Sequence, residues 1–279
     1  MVQKTYTDKL HVIKLKETPE IQSAYIPPIQ SANVLFKFMG QLDYLKEIIK
    51  NKAIIPRYYE EKIDYLNIED LDKVAFPMSC FCDIHLNKLV SHMSNYGQYG
   101  IGLSKQWGIR QGIQPIHYIN QHSELRKDFS KVFANALETT SKGEFTLYNN
   151  YLLHDLFFMK PLDGQMFRDN RYETRNFHDE KEWRFIPNFN GIETDLPMVI
   201  DQEQMNYKSY NAYSQGIRKR PELWLNFSYD AIKHIIVSDQ NDREELIDYI
   251  IEHQIGENDN ERYILFSKIL VFNELREDW

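Results

Sequence analysis

Short apolar segments separated by amphipathic helices constrain the fold of this chain more than any other feature. In LDYLKEIIKNK (42–52), Leu and Ile recur at helical spacing with Lys and Glu opposite them, which predicts a helix. In FPMSCFCDI (76–84), the side chains alternate between two faces, which predicts a strand. Groups of strands with helices between them are typical of α+β proteins. We therefore expect an α+β fold with a mixed, mainly antiparallel sheet and inserted helices.

The same periodicities predict further elements along the chain. Helices are expected at HLNKLVSHMSNY (85–96), within 121–160 and, with an N-terminal cap, at DREELIDYIIEH (242–253). Strands are expected at VLFKFMG (34–40), YGIGL (99–103), QPIHYIN (114–120), EWRFIP (182–187), WLNFS (224–228), AIKHIIVS (231–238) and RYILFSKILVF (262–272).

Nothing in the sequence divides the chain into separate units. It has no internal repeat and no low-complexity tract, so we expect 1–279 to form a single domain. Residues from 1 to about 32 include a Tyr-Ile-Pro-Pro run, which favours an extended lead-in. A polar stretch rich in Tyr and Asn at about 201–216 is expected to be a loop or insertion.

Charge and apolar content limit the classes of partner. The chain has 33 basic and 41 acidic residues and a formal net charge of −8, so nucleic acid is disfavoured as a partner without being excluded. No run reaches the roughly 18 apolar residues of a membrane helix, and the first residues lack the apolar core of a signal peptide. Cys80 and Cys82 lie too close on a strand for ordinary disulfide geometry. We expect a cytoplasmic protein without a membrane partner.

Three glycines occur where a predicted helix leads into a predicted strand. Gly97, Gly100 and Gly102 form G-x-x-G-x-G, the reverse order of the dinucleotide-binding fingerprint, which argues against a Rossmann fold. Gly97 is expected to end the helix, and the other two lie within the strand. Because glycine permits close approach to the backbone, Tyr99, Gly100 and Gly102 are candidate ligand-binding residues in a corner beside a cleft.

An ordered set of motifs resembles a known family. The set is PMSCFCDI followed by a histidine, YGQYGIGLSKQW, QPIHYI, DEKEWRF and NFSYDAIKHIIV, from about Leu35 to Val237 and more loosely to the C-terminal Asp278-Trp279. It resembles the AbiGi-type abortive-infection proteins of bacterial phage defence. The family is described as the antitoxin half of a two-gene system. The resemblance implies a regulator that binds a partner, either the co-encoded toxin or a phage product.

Two carboxylates raise an enzymatic alternative. Glu180 and Glu182 are two apart in a predicted strand, which would place their side chains on the same face, roughly 7 Å apart. Such an E-x-E pair is similar to that of arginine-directed ADP-ribosyltransferases, which implies NAD as cofactor and a protein or nucleic acid as substrate. Lys37 stands where those enzymes have Arg or His on the first strand, and Tyr99 or Tyr118 are candidates for their mid-chain element.

The alternative for the same carboxylates is structural. An exposed edge strand would pair its charges with Arg184 and other neighbours, and the loss of the Glu182 charge would then change the stability of the fold by at most about 1 kcal/mol. Apart from NAD under the enzymatic hypothesis, no cofactor is expected.

Histidines and cysteines form a second set of candidates. Cys80, Cys82, His85 and His92 make a C-x-C-x₂-H-x₆-H run, but it lacks the usual paired spacing of zinc ligands, and we expect no bound metal. His92 lies beside the glycine strand with aromatic neighbours, and is a candidate titratable group in a pocket.

Three functions stay open from the sequence alone. The first is a partner-binding regulator of phage defence, and the second is an ADP-ribosyltransferase-like enzyme. The third is a module that senses a nucleotide or nucleic acid without catalysis.

Overall fold

The computed structural model describes residues 25–141, 147–168 and 171–277. Most of the expected lead-in (1–24) and the C-terminal Asp278-Trp279 lie outside the described residues. The rest of the lead-in has no regular secondary structure before the first strand. The strands are β1 (Val34–Met39), β2 (Ala53–Ile54), β3 (Arg57–Lys62), β4 (Lys73–Cys82), β5 (Tyr99–Ser104), β6 (Gln114–Pro115), β7 (His117–Ile119), β8 (Met159–Pro161), β9 (Asp163–Arg168), β10 (Arg171–Asn176), β11 (Glu182–Phe185), β12 (Leu225–Asn226), β13 (Ile232–Val237) and β14 (Ile269–Val271). The helices are α1 (Leu42–Asn51), α2 (Leu89–Tyr96), α3 (Lys105–Arg110), α4 (Glu124–Ser141), α5 (Leu147–Phe157), α6 (Tyr207–Arg218), α7 (Gln240–Glu252), α8 (Asp259–Ser267) and α9 (Phe272–Glu277).

The main sheet of the described chain runs in the order β14-β13-β5-β1-β4-β11-β6, with β3 also paired to β4. β13 and β14 are parallel, whereas the other pairs of this sheet are antiparallel. The predicted α+β fold with a mixed, mainly antiparallel sheet is therefore confirmed.

Apolar residues on the helices pack against the main sheet and cover its apolar side chains. Helix α1 turns the apolar face predicted from its spacing inward, and the left-handed residue Lys52 ends it by donating its N–H to the carbonyls of Ile48 and Ile49. One apolar cluster joins α1 and α7 to β5 and β13, and a second joins α4 and α5 to β4. Within the described ranges, no helix is both long and apolar enough to cross a bilayer.

Two of the glycines make room for phenylalanines. Strands β1 and β5 pair with Phe36 opposite Gly102 and Phe38 opposite Gly100. A Cβ added at Gly100 would lie 2.6 Å from the ring of Phe38, and one at Gly102 would lie 2.8 Å from the ring of Phe36. The absence of these side chains lets the two rings lie against the neighbouring strand.

Gly97 forms the corner between α2 and β5. It ends α2, as predicted, with a φ of +125°, and its N–H donates to the carbonyl of Met93 at 2.9 Å. A Cβ at this position would lie 2.1 Å from the carbonyl oxygen of Met39, so the corner packs directly against the backbone of β1. The need for a tight turn therefore accounts for this glycine.

The stretch 201–216 was expected to be a loop or insertion, and the expectation of a loop is wrong for most of it. Residues Tyr207–Arg218 form α6 because the side chain of Asn206 caps the helix by accepting from the N–H groups of Lys208 and Ser209. Ile217 on the inner side of this helix is fully buried.

Two other segments that were expected to form single strands have a different structure. The segment 262–272 is mainly helical: it begins inside α8, and only Ile269–Val271 form a strand. The segment 114–120 forms two short strands, of which β6 pairs with β11 and β7 pairs with β8.

Candidate functional site

A large cavity of about 1170 Å³ opens beside the main sheet. Residues of β1, β3, β4, α2, β8 and β11 line it, together with the turn Phe177–Glu180 that precedes β11. Pockets that bind small molecules in proteins are on the order of 300–1,000 Å³, so this cavity has room for a ligand of substantial size. Its charged lining includes Lys37, Arg57, Lys160, Glu180 and Glu182.

Glu182 begins β11 and is held by two cations. Its Oε1 accepts from Nε of Arg184 at 2.6 Å, and its Oε2 accepts from Nζ of Lys160 at 3.0 Å. Its backbone N–H also donates to the hydroxyl of Tyr118 at 2.7 Å. The residue is only 6% exposed, so the expectation of an exposed carboxylate on an edge strand is wrong. β11 lies between β4 and β6.

Glu180 lies in the turn before β11, so the two carboxylates do not share a strand as expected. They nevertheless converge, because Nζ of Lys160 also donates to Oε2 of Glu180 at 2.8 Å. Oε1 of Glu180 accepts from the hydroxyl of Tyr96 at 2.5 Å and lies 3.1 Å from Nε of Arg175.

Arg184 is fully buried and joins this network to the core. Besides Glu182, its guanidinium donates to the carbonyl oxygen of Phe157 at 2.7 Å and to Oε2 of Glu61 at 3.0 Å. We call Glu61, Lys160, Arg175, Glu180, Glu182 and Arg184 the buried charge network. It contains three carboxylates and three cations, so its formal charges cancel.

The network shifts the titration of its members. Burial alone would raise the pKa of Glu182, but the charges of Arg184 and Lys160 outweigh burial and hold this pKa well below its usual value. Burial alone would lower the pKa of Lys160, but the carboxylates, Glu182 first among them, raise it well above its usual value. All three side chains are therefore ionised at neutral pH.

His92 lies on α2 at the edge of the same cavity. Its ring centroid is 5.6 Å from that of Phe38 and 4.5 Å from that of Tyr96. Burial among these rings lowers the pKa of His92 to about 4, so the imidazole is neutral at pH 7.

The structure thus brings some of the candidate residues together and separates others. Glu180, Glu182, His92 and Lys37 all line the cavity. The candidates Tyr99, Gly100 and Gly102 are not among its lining residues. The hydroxyl of Tyr99 donates instead to Asp242 at 3.1 Å, and the two glycines lie under the phenylalanines of β1.

The cysteines and histidines of the C-x-C-x₂-H-x₆-H run do not form a cluster. Cys82 is buried and Cys80 half-buried on β4, while His92 packs against aromatic rings. In the part of the chain that the structure describes, no group of three or more His, Cys, Asp or Glu side chains could hold a metal ion.

Sequence reasoning missed Lys160. It follows the apolar run LFFM and is separated from Glu180 and Glu182 by a hairpin, so no local spacing connects the three residues. Arg184, by contrast, was expected to pair with the carboxylates, and it does so with Glu182.

Comparisons with known proteins agree with one another. Residues 52–238 match the family model described as "Putative abortive phage resistance protein AbiGi, antitoxin". The chain is also similar to the abortive phage resistance protein AbiGi of Lactococcus lactis subsp. cremoris, with 36% identity over 248 residues that cover 81% of this chain and 100% of that protein. No solved structure matches the chain. The matched range contains the whole buried charge network.

Proposed function

This chain belongs to the AbiGi family of abortive phage resistance proteins, and on that premise we propose that it acts as an antitoxin by binding the co-encoded toxin protein. The description of the matching family model carries the proposal. Binding, rather than chemistry, is then the activity that protects the cell.

The neutralised carboxylates support a binding protein. Each oxygen of Glu182 already accepts from a cation, and Glu180 is engaged by Lys160, Arg175 and Tyr96. A carboxylate that stabilises a developing positive charge in a reaction must have that charge as its partner. Here both carboxylates are already engaged by the fold, which supports a structural role in the wall of the cavity.

Exposed apolar side chains support a protein partner. Tyr148 and Tyr151 on α5 are 52% and 60% exposed, and Leu137 on α4 is 42% exposed. The two helices pack against each other, and the side chain of Asn149 on α5 donates to the carbonyl of Ala136 on α4 at 3.2 Å. Tyrosine is enriched in protein interfaces. We expect this surface of α4 and α5 to contact the toxin.

Co-expression with the toxin tests the proposal. A tagged copy of this chain should retain the toxin at a fixed ratio through purification, and Tyr151→Ala should weaken that complex. Tyr207→Ala is the matched control, since Tyr207 is also an exposed tyrosine (77% exposed) but belongs to α6, outside the expected interface of α4 and α5. If the wild-type chain and the toxin separate completely when both are folded, the antitoxin proposal is wrong. If both variants bind like wild type, only the assignment of the interface is wrong.

One observation favours a second candidate, an ADP-ribosyltransferase-like enzyme. Glu180, Glu182, His92 and Lys37 line one cavity that is large enough for a dinucleotide. In such an enzyme Glu182 would stabilise the ribose cation as nicotinamide leaves, and Glu182→Gln would lower the rate by roughly a hundredfold or more. Loss of NAD is the measurement, with the exposed Glu203→Gln as control. Consumption by wild type and the control but not by Glu182→Gln, when circular dichroism shows that this buried variant is folded, would support the enzyme, whereas no consumption by any of them supports the binder.

A further inference from the structure

The ammonium of Lys37 forms no ion pair within the described part of the chain. It lies on β1, one residue beyond the position where Phe36 pairs with Cys82 of β4, and it is half-buried in the wall of the cavity. Its Nζ is 5.9 Å from the ring centroid of Phe81. Its ammonium makes no hydrogen bond or ion pair with any described residue.

A second cation stands close to it. Arg57 begins β3, where it pairs with Met78 of β4, and it lines the same cavity. Its Nη2 donates to the side-chain oxygen of Asn211 at 3.2 Å, but no carboxylate of the described chain forms an ion pair with it. Strands β1 and β3 both pair with β4, so the two cations stand on neighbouring parts of one sheet, and the charge of Arg57 acts on Lys37.

Three carboxylates that line the cavity already have partners within the fold. Glu182 is held by Arg184 and Lys160, and Glu61 is held by Arg184. Glu60 accepts from Lys73 at 3.0 Å and from the hydroxyl of Tyr210 at 2.5 Å. Two neighbouring cations, at least one of them partly removed from water, repel each other and are stabilised by an anion between them. In the described part of the chain, no carboxylate forms an ion pair with Lys37 or Arg57.

Aromatic rings lie beside the two cations. Tyr44 of α1 and Tyr59 of β3 line the cavity and are 41% and 42% exposed. Tyr59 lies two residues beyond Arg57 on β3, so the side chains of these two residues are on the same side of the strand. Exposed rings next to a cationic site offer a planar base a surface on which to stack.

We propose that this cavity binds a nucleotide, with its phosphate between Lys37 and Arg57 and its base against Tyr44 and Tyr59. This goes beyond the proposed function, because it adds a small-molecule ligand to a protein that acts by binding a partner. The site does not require catalysis.

The state of Lys37 adds a pH dependence. Burial lowers the pKa of Lys37, and the groups that act on it are Cys80 of β4, Arg57 of β3 and Glu182 of β11. An anion bound beside the ammonium favours its charged form, so binding takes up a proton when the free lysine is partly neutral. Affinity should therefore fall as the pH rises through the pKa of Lys37.

Calorimetric titration of the purified full-length chain tests the site. The probes are ADP, AMP, adenosine, inorganic phosphate and NAD. Lys37→Met and Arg57→Gln are the test variants, and Lys50→Met is the control, since Lys50 is exposed on α1 and is not among the lining residues. Because one charge-assisted contact is lost, each test variant should bind ADP about tenfold to a hundredfold more weakly than wild type, while the control is unchanged.

Each result decides a part of the proposal. Binding of ADP or AMP that is weakened by both test variants, with adenosine and phosphate binding much more weakly, supports it. No binding of any probe by the folded wild type, or equal binding by wild type and both variants, overturns it. Phosphate that binds as tightly as ADP overturns the stacking of the base. NAD that is consumed rather than bound supports the enzymatic candidate instead, and none of these results depends on the toxin.

Discussion

Arg184 offers the sharpest test of the buried charge network. Its side chain is completely buried, and its guanidinium donates to Glu182 at 2.6 Å, to the carbonyl of Phe157 at 2.7 Å and to Glu61 at 3.0 Å. The change Arg184→Met keeps most of the length of the side chain but removes all these donors. It leaves Glu182 with Lys160 as its remaining cation and leaves the carbonyl of Phe157 without this donor.

The size of the effect follows from burial. Breaking a buried ion pair by removing one partner costs about 3–5 kcal/mol, because the remaining charge stays out of water. In a chain of this size, 1 kcal/mol lowers the melting temperature by roughly 2–4 °C. We therefore expect Arg184→Met to lower it by about 6–20 °C. Arg184→Lys keeps the charge but loses the fork of donors, so its effect should be intermediate.

Urea unfolding followed by circular dichroism measures the free energy of unfolding directly. The matched control is Arg110→Met, since Arg110 is exposed at the end of α3 and its loss should change stability by less than about 0.5 kcal/mol. A loss below about 1 kcal/mol for Arg184→Met is what an exposed pair would give. That result would refute the reasoning that the network is a structural part of the fold.

Three further variants test other parts of the structure. In urea unfolding, Gly97→Ala should lower the free energy of unfolding by at least about 2 kcal/mol more than Gly112→Ala does, because both glycines have positive φ but only a Cβ at Gly97 would meet the carbonyl of Met39. Equal losses would contradict the account of the corner. The pKa of His92 is lowered to about 4 in the folded chain, so the unfolded state takes up this proton first as the pH falls. The free energy of unfolding should therefore fall by up to about 3 kcal/mol between pH 6.5 and 4. His92→Phe should remove this part of the pH dependence, and an unchanged slope would contradict the burial of His92. Lys37→Met should leave the melting temperature unchanged or raise it by an amount that corresponds to about 1 kcal/mol, because the substitution removes a partly desolvated charge that has no ion pair in the described chain. A clear decrease would show that Lys37 stabilises the fold.

The fold was largely predictable where local periodicity and packing agree. The helical spacing of apolar residues predicted α1, and the alternation of side chains predicted β4. The order of Gly97, Gly100 and Gly102 indicated a turn that leads into a strand. Prediction failed at α6, where a polar sequence hides a helix because Asn206 caps it and few inner residues are apolar. It failed at α8 because an apolar run rich in Ile and Leu suits helix and strand alike, and the cap at Asn258 lies four residues before the run.

The candidate site was predictable only in part. The spacing of Glu180 and Glu182 indicated a carboxylate pair, but a sequence gives no direct measure of burial, so the expectation of an exposed Glu182 is wrong. Lys160 forms ion pairs with both carboxylates, because β8 lies close to the start of β11. No local sequence pattern predicts this contact. The cavity that brings Lys37 and His92 to the same wall likewise depends on long-range pairing of β1 with β4 and β5.

The number of toxin molecules that one copy of this chain can neutralise tests the antitoxin account most directly. The purified chain is added in increasing amounts to a fixed amount of purified toxin, and the remaining toxin activity is measured. Because protection by binding follows mass action, neutralisation should be complete only when the chain equals the toxin in amount, and toxin activity should return when the complex is diluted far below its dissociation constant. If a small fraction of an equivalent neutralises all the toxin, with lasting loss of its activity after the two are separated, the chain acts as an enzyme and the account is contradicted.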